Sequence, residues 1–105
     1  MKTSIYQIQM RALLKEGGYP FVEEFKFHPT RKWRFDFVLK PTKTKIAIEV
    51  NGGIWMRGKH TFGTAYEKDL EKINQVQLMG WIVLQYTPGT LTNVLDDLEF
   101  LITVK

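Results

Sequence analysis

The stretch from Arg34 to Gly53 reads RFDFVLKPTKTKIAIEVNGG and contains two apolar runs with one acidic residue each. The first run surrounds Asp36 with phenylalanines, and the second sets Glu49 between Ile48 and Val50. Apolar runs of this length, separated by a segment with Pro and Thr, are typical of two strands joined by a turn. The pattern therefore predicts two neighbouring strands that each carry a single carboxylate.

The rest of the chain predicts one domain, residues 1–105, of the α/β (α+β) class. We expect a helix at 3–16, strands at 22–28, 32–39 and 45–51, a helix at 64–79, a strand at 81–86 and a helix at 91–102. The first three strands suit an antiparallel meander. Because a helix separates the third and fourth strands, those two should be parallel. The prediction is a mixed four-stranded sheet flanked by helices in the order α-β-β-β-α-β-α.

Composition limits the possible partners. The chain has 105 residues, 15 Lys and Arg against 11 Asp and Glu, and a net charge of +4, which favours an anionic partner such as nucleic acid without requiring one. Cysteine is absent, so disulfides and thiolate metal sites are excluded. No apolar run approaches the roughly 20 residues that span a bilayer, and the N-terminus lacks the apolar core of a secretory signal. We expect no membrane partner and a cytoplasmic location.

Side-chain alternation predicts that the two acids share a face. Asp36 and Val38 should point away from the side of Trp33, Phe35, Phe37 and Leu39, and Glu49 should share its side with Ala47 and Asn51. Two carboxylates at a partly buried site repel each other and are costly to desolvate. A hard divalent cation such as Mg²⁺ would relieve both costs. Alternatively, each acid faces water or pairs with Arg34 or Lys45.

Basic residues near the two acids are candidates for nucleic-acid binding. The segment NGGIWMRGKHTFG, residues 51–63, mixes basic and aromatic side chains, which suits a phosphate backbone and unstacked bases. An ordinary surface loop is the alternative. The basic residues before Asp36 could line a DNA-binding face, although a solvated strand edge would look the same. The candidates are Arg31, Lys32, Arg34, Arg57, Lys59 and His60.

Five ordered segments together resemble the PD-(D/E)XK nuclease superfamily. They are PTRKWRFDF, IAIEVNGGIW, GKHT, DLEKIN and GWIVLQYTP, and they lie between Pro29 and Pro88. The chain looks most like small endonuclease-like proteins of phages and prophages, in the style of the very-short-patch repair and VRR-NUC branches. The resemblance implies a restriction-endonuclease-like core, hydrolysis of DNA phosphodiesters with Mg²⁺ or Mn²⁺, and a bacterial or phage-infected host cell.

The resemblance also implies roles for individual residues. Asp36 matches the metal-binding aspartate, and Glu49 matches the acid of the Glu-x-Lys pair. The carbonyl of Val50 would complete the coordination. Glu24, near the first strand, is a weaker acidic candidate.

The sequence departs from this pattern at Asn51, which stands where the superfamily has lysine. Asn51 could instead hold a water or a phosphate by hydrogen bonding. In related branches the lysine moves to the following helix, where Lys72 is the best substitute and Lys68 the next. Helical spacing puts Lys72 on one side with Asp69, a weaker site candidate, and Val76. The alternative for Lys72 is an exposed lysine paired with Asp69.

The sequence therefore predicts a Mg²⁺-dependent endonuclease acting on DNA, in which Asp36 and Glu49 bind the metal and Lys72 stabilises developing charge. His60 could serve as a general base or phosphate contact. A homodimer would supply two sites for two strands. Three alternatives remain: a Holliday-junction or other structure-selective nuclease, a nucleic-acid-binding module without catalysis, and a small partner-binding domain.

Overall fold

A computed structural model describes residues 4–40, 44–50 and 64–104 of the chain. The predicted fold class and element order are confirmed: the protein is α+β, with a four-stranded mixed sheet flanked by helices. The elements are α1 (Ile5–Glu16), β1 (Phe21–Lys26), β2 (Arg34–Leu39), β3 (Lys45–Val50), α2 (Thr64–Leu78), β4 (Trp81–Tyr86), a 3₁₀ turn (Leu91–Asn93) and α3 (Val94–Val104).

Local chemistry sets the ends of the helices. The Ser4 hydroxyl accepts the N–H of Gln7 at 3.0 Å and so caps the start of α1. After α2, Gly80 adopts a φ of 87°, a left-handed conformation that glycine takes without a steric penalty. The chain can therefore leave α2 and enter β4 directly.

The strands lie in the order β1-β2-β3-β4. The β1–β2 and β2–β3 pairs are antiparallel, and β3 and β4 are parallel. Both the predicted meander and the predicted parallel pair are thus confirmed. The parallel pair follows from the crossover through α2, which returns the chain to the same end of the sheet.

Each face of the sheet is covered by helices. Alternate β3 residues separate the two layers, since Ile46, Ile48 and Val50 pack with α1 and α3, whereas Ala47 packs with Val76 of α2. The layer under α1 and α3 buries Met10, Leu14, Phe37, Leu39, Tyr86, Leu91, Val94 and Leu98 along with those three β3 residues. Among the described helices, α2 is the one that packs on the face to which Glu49 belongs by alternation.

Strict alternation along β2 is wrong at Asp36. Phe35 packs in the α2 layer with Val38, whereas Phe37 packs in the opposite layer. At the same level on the neighbouring strand, Glu24 has a φ of 54°, which is uncommon for a residue other than glycine. The β1–β2 register includes the pairs Glu23–Phe37 and Phe25–Phe35, but it does not include a Glu24–Asp36 pair.

Several boundaries also differ from the prediction. β1 ends at Lys26 and β2 begins at Arg34, so the connection between them is longer than expected. In that connection, the His28 ring nitrogen Nδ1 accepts the N–H groups of Thr30 at 3.2 Å and Arg31 at 3.0 Å. Because these bonds satisfy the N–H groups of Thr30 and Arg31 locally, the segment does not need to continue the β1–β2 hydrogen-bond ladder.

Candidate active site

Asp36 and Glu49 lie opposite each other where β2 and β3 separate. The β2–β3 register pairs Phe37 with Ile48, and one further step opposes the two acids. At this position, hydrogen bonds from backbone N–H groups to the two carboxylates take the place of backbone–backbone hydrogen bonds between β2 and β3. The Glu49 carboxylate accepts the N–H of Asp36 at 3.0 Å, and the Asp36 carboxylate accepts the N–H of Val50 at 2.8 Å. The structure therefore brings the two predicted acids together.

The acids continue a row of apolar residues across the same face. Val38 of β2, Ala47 of β3 and Val83 of β4 are register partners, and we call them the apolar row. A second set of neighbours lies two residues away from the apolar row on each strand. In this set, Glu49 and Gln85 are register partners. We call this second set, Asp36, Glu49 and Gln85, the polar row.

Lys72 of α2 acts on the two acids of the polar row through its charge. Val76 packs in the layer that contains Val38 and Ala47. Lys72 lies one turn before Val76 on the same side of α2, and helical geometry directs it over the next row of the sheet. Lys72 is half-buried, and its charge acts on both carboxyls.

Burial and mutual repulsion raise the pKa values of the two acids. Glu49 is only 5% exposed, and desolvation followed by repulsion from Asp36 raises its pKa to about 7. Desolvation also raises the pKa of Asp36, opposed by its bond from the Val50 N–H. Lys72 lowers the pKa of both groups, but its charge does not offset the burial. The site thus disfavours two ionised carboxylates in the absence of further positive charge.

Glu24 contributes to this electrostatic environment from β1. Its charge raises the pKa of both Asp36 and Glu49, although less than desolvation does. The Glu24 carboxylate accepts a hydrogen bond from Gln7 Nε2 at 3.0 Å and lies 4.0 Å from the guanidinium of Arg34. It is therefore a neighbour of the acid pair that is held by other partners.

The cations that could have neutralised the acids by ordinary ion pairs have other contacts. Lys45 donates its ammonium to the carbonyl of Met79 at 3.0 Å and lies 5.6 Å from the centre of the Trp81 ring. Arg34 lies beside Glu24. Ion pairing with Arg34 or Lys45 thus does not account for the position of Asp36 and Glu49.

The buried amide of Gln85 is the part of the site that sequence reasoning missed. Both polar atoms of its side chain, Oε1 and Nε2, are buried, and neither has a hydrogen-bond partner among the described residues. The available signal was a single polar residue in the apolar run WIVLQY. Its relation to Glu49 depends on the parallel register, which the sequence does not display.

The three predicted basic residues before Asp36 have different surroundings. The guanidinium of Arg31 lies 4.2 Å from the centre of the Trp33 ring and 2.7 Å from a carboxylate oxygen of Glu71 on α2. Lys32 is exposed. Arg31 and Arg34 are therefore partly neutralised by glutamates.

Two predicted helix residues can be compared with Lys72. Lys68 is exposed. The pKa of Glu71 is lowered mainly by the hydrogen bond from Arg31, and the charge of Lys68 contributes to the same shift. Asp69 is half-buried on α2. The position of Lys72 favours it over Lys68 as the cation of the site. Four other predicted residues, Asn51, Arg57, Lys59 and His60, lie outside the described residues.

A divalent cation fits the donor chemistry of the pair. Each carboxylate uses one oxygen for a backbone N–H and has a second oxygen, and Mg²⁺ and Mn²⁺ prefer oxygen ligands. Within residues 4–40, 44–50 and 64–104, no group of three or more His, Cys, Asp or Glu side chains could hold a metal ion. A cation here would need oxygen donors besides acids, and Val50, whose N–H bonds to Asp36, lies next to the pair.

No family model, curated protein or solved structure matches the chain. The resemblance to PD-(D/E)XK nucleases therefore stays a prediction that rests on the sequence segments alone. None of the described helices is sufficiently long and apolar to cross a membrane.

Proposed function

We propose that this protein is a divalent-metal-dependent endonuclease that hydrolyses DNA phosphodiester bonds. The observation that carries the proposal is the adjacent pair of carboxylates, buried Glu49 and half-buried Asp36, with Lys72 acting on both. Because burial and repulsion disfavour two ionised carboxylates at this position, a bound divalent cation is favoured over an empty site. The positive charge of the whole chain, +4, suits a polyanionic substrate.

The residues of the site have separate tasks in this proposal. Asp36 and Glu49 hold the cation through carboxylate oxygens, with the Val50 carbonyl beside them. Bound Mg²⁺ or Mn²⁺ would supply Lewis-acid activation of a water and of the scissile phosphate. The ammonium of Lys72 stabilises the negative charge that develops on the phosphate oxygens. The apolar row excludes water from one side of the acids and so strengthens these electrostatic interactions.

Arg31 and Lys32 would contact the phosphate backbone outside the reacting group. Arg31 is held in a defined orientation by the Trp33 ring, which lowers the entropy cost of binding a phosphate. A homodimer would place a second site against the second strand. Duplex, single-stranded and branched DNA are the substrates to compare.

A second candidate, a DNA-binding module without catalysis, is favoured by one observation. Both acids already accept backbone N–H groups, so they hold β2 and β3 together without any metal. Asn51, in place of the expected lysine, also fits this candidate.

The test is cleavage of end-labelled duplex, single-stranded and four-way-junction DNA with Mg²⁺, Mn²⁺ or EDTA. We expect cleavage with either metal and none with EDTA. Asp36→Ala and Glu49→Ala should abolish it, whereas Glu99→Gln, on the exposed side of α3, should not. Cleavage that survives both alanine substitutions would reject the site. Salt-sensitive DNA binding without any cleavage would support the second candidate.

A further inference from the structure

The amide of Gln85 is an unexplained polar group inside the protein. Its Oε1 and Nε2 are both buried without a hydrogen-bond partner among the described residues. A buried polar atom without a partner costs about 1–3 kcal/mol relative to one that is hydrogen-bonded. An apolar residue would avoid this cost, and the other residues of β4 on the same face, Trp81 and Val83, are largely apolar. The cost is offset if the amide of Gln85 binds a ligand.

The location of Gln85 indicates what it binds. Gln85 is the register partner of Glu49 on the parallel strand β4, and both belong to the polar row on the α2 side of the sheet. Neighbouring strands lie about 4.8 Å apart, so the side chains of Gln85 and Glu49 are adjacent on this face. Gln85 therefore has Glu49 beside it, Asp36 one strand further away, and the apolar α2 layer on the same face.

The acids alone provide an incomplete set of ligands for a cation. Among the described residues, no third His, Cys, Asp or Glu joins Asp36 and Glu49. A glutamine oxygen is a hard, neutral donor of the kind that completes carboxylate sites for Mg²⁺, Mn²⁺ and Ca²⁺. A neutral third donor also adds no repulsion to a pair that is already short of positive charge.

We propose that Gln85 is the third side-chain oxygen donor of a divalent-cation site formed with Asp36 and Glu49. The inference rests on the proposed function for its choice of a divalent cation. It goes further in naming a ligand from β4 and in predicting metal preference. Two carboxylates and an amide present only oxygens, which favours Mg²⁺ and Mn²⁺ over Zn²⁺.

The test is Mn²⁺ binding by calorimetry at pH 8, with wild-type protein and two substitutions at Gln85. Gln85→Met keeps the size of the side chain but has no oxygen, and we expect it to weaken Mn²⁺ binding about 10- to 100-fold. Gln85→Glu keeps an oxygen donor and should bind Mn²⁺ at least as tightly as the wild type. Gln77→Ala, at an exposed position of α2, is the matched control and should leave the dissociation constant unchanged.

Melting temperatures in EDTA separate a ligand from a structural residue. Because Gln85 has no hydrogen-bond partner to lose within the described part of the chain, Gln85→Met should melt at or above the wild-type temperature in EDTA and should gain less from added Mn²⁺. A lower melting temperature in EDTA with unchanged Mn²⁺ affinity would mean that Gln85 holds only a buried water or another part of the chain, and would overturn the inference.

The result also separates this inference from the proposed function. Unchanged Mn²⁺ affinity in Gln85→Met, with metal-dependent cleavage by the wild type, would reject Gln85 as a ligand and leave the nuclease proposal standing. Weakened Mn²⁺ binding without any DNA cleavage by the wild type would support Gln85 and reject the nuclease. A wild type that binds no Mn²⁺ would overturn both.

Discussion

Asp36 and Glu49 are joined across the separating ends of β2 and β3, because the Glu49 carboxylate accepts the N–H of Asp36 at 3.0 Å. In return, the carboxylate of Asp36 accepts the N–H of Val50 at 2.8 Å. Each acid thus compensates for a missing ladder bond, and the pair stays together although burial and repulsion raise both pKa values. The arrangement has consequences for stability, for cation binding and for the role of Lys72.

The first prediction concerns pH. The pKa of Glu49 is raised to about 7, so the folded state prefers the protonated acid. Its contribution to stability is fully present below the pKa of the unfolded chain and is lost as pH rises through about 7. In EDTA, we expect the free energy of unfolding to fall by roughly 3 kcal/mol between pH 4.5 and 7.5 from this group. Urea unfolding at a series of pH values measures it.

Glu49→Gln keeps an oxygen that can accept the Asp36 N–H but cannot ionise. This variant should lose most of the pH dependence and be more stable than the wild type above pH 7 in EDTA. The control Glu99→Gln should retain the wild-type slope. If Glu49→Gln and wild type have parallel pH profiles, the raised pKa of Glu49 is wrong.

The second prediction concerns Lys72. Because Lys72 lowers the pKa of both acids, Lys72→Ala should raise those pKa values and extend the pH-dependent loss of stability in EDTA to higher pH. It should also lower the rate of single-turnover DNA cleavage about 100-fold or more, as loss of one preorganised donor does. Lys68→Ala, one turn earlier and exposed, is the matched control. Equal effects of the two substitutions would show that general charge, rather than the position of Lys72, matters.

The proximity of the two acids was predictable from the sequence, because an antiparallel register and the two-residue period of strands put Asp36 and Glu49 on facing positions. The hydrogen bonds from backbone N–H groups to the two carboxylates were not predictable, because these bonds depend on where β2 and β3 separate. The break in alternation at Asp36 coincides with the positive φ of Glu24 on the neighbouring strand. Residue patterns within β2 carry no information about that conformation.

Contacts between distant segments were the other part that the sequence could not supply. Gln85 becomes a neighbour of Glu49 only through the parallel β3–β4 register. Arg31 and Glu71 are 40 residues apart in the chain and meet because α2 passes beside the β1–β2 connection. The basic residues were therefore predicted as a DNA-binding face without the glutamates that partly neutralise them.

The third prediction follows from the Arg31–Glu71 ion pair. Glu71→Gln should tighten DNA binding, because the guanidinium is then released to bind a phosphate. Arg31→Ala should weaken binding and reduce the dependence of log K on log salt by about one. Fluorescence anisotropy in an Asp36→Asn background, at several salt concentrations, measures both without cleavage.

Glu67→Gln, exposed one turn before Glu71, removes the same charge from α2 and provides the control. A similar gain in affinity for Glu67→Gln and Glu71→Gln would assign the effect to net charge. Unchanged affinity in both Arg31→Ala and Glu71→Gln would remove Arg31 from the DNA-binding surface.

The fourth prediction separates stability from function. The Tyr86 hydroxyl donates to the carboxylate of Asp97 at 2.7 Å and so joins β4 to α3. Tyr86→Phe should lower the free energy of unfolding by about 1–3 kcal/mol, the range for hydrogen bonds to charged groups. DNA cleavage at 25 °C should be unchanged, because this bond lies on the side of the sheet away from α2.

A double-mutant cycle with Asp97→Asn isolates the bond. The two single substitutions should be non-additive, with a coupling of about 0.5–3 kcal/mol. Additive effects in urea unfolding would mean that each residue acts through other contacts.

The central claim is that Asp36 and Glu49 bind a divalent cation, and anomalous scattering from Mn²⁺ in crystals at pH 8 tests it most directly. This pH is above the pKa of Glu49, which is about 7, so Glu49 is ionised when the crystal is soaked. The account predicts an anomalous peak within bonding distance of a carboxylate oxygen of both Asp36 and Glu49, absent from crystals of Asp36→Asn. Crystals that contain Mn²⁺ at other positions, with no peak between these two acids, would contradict it.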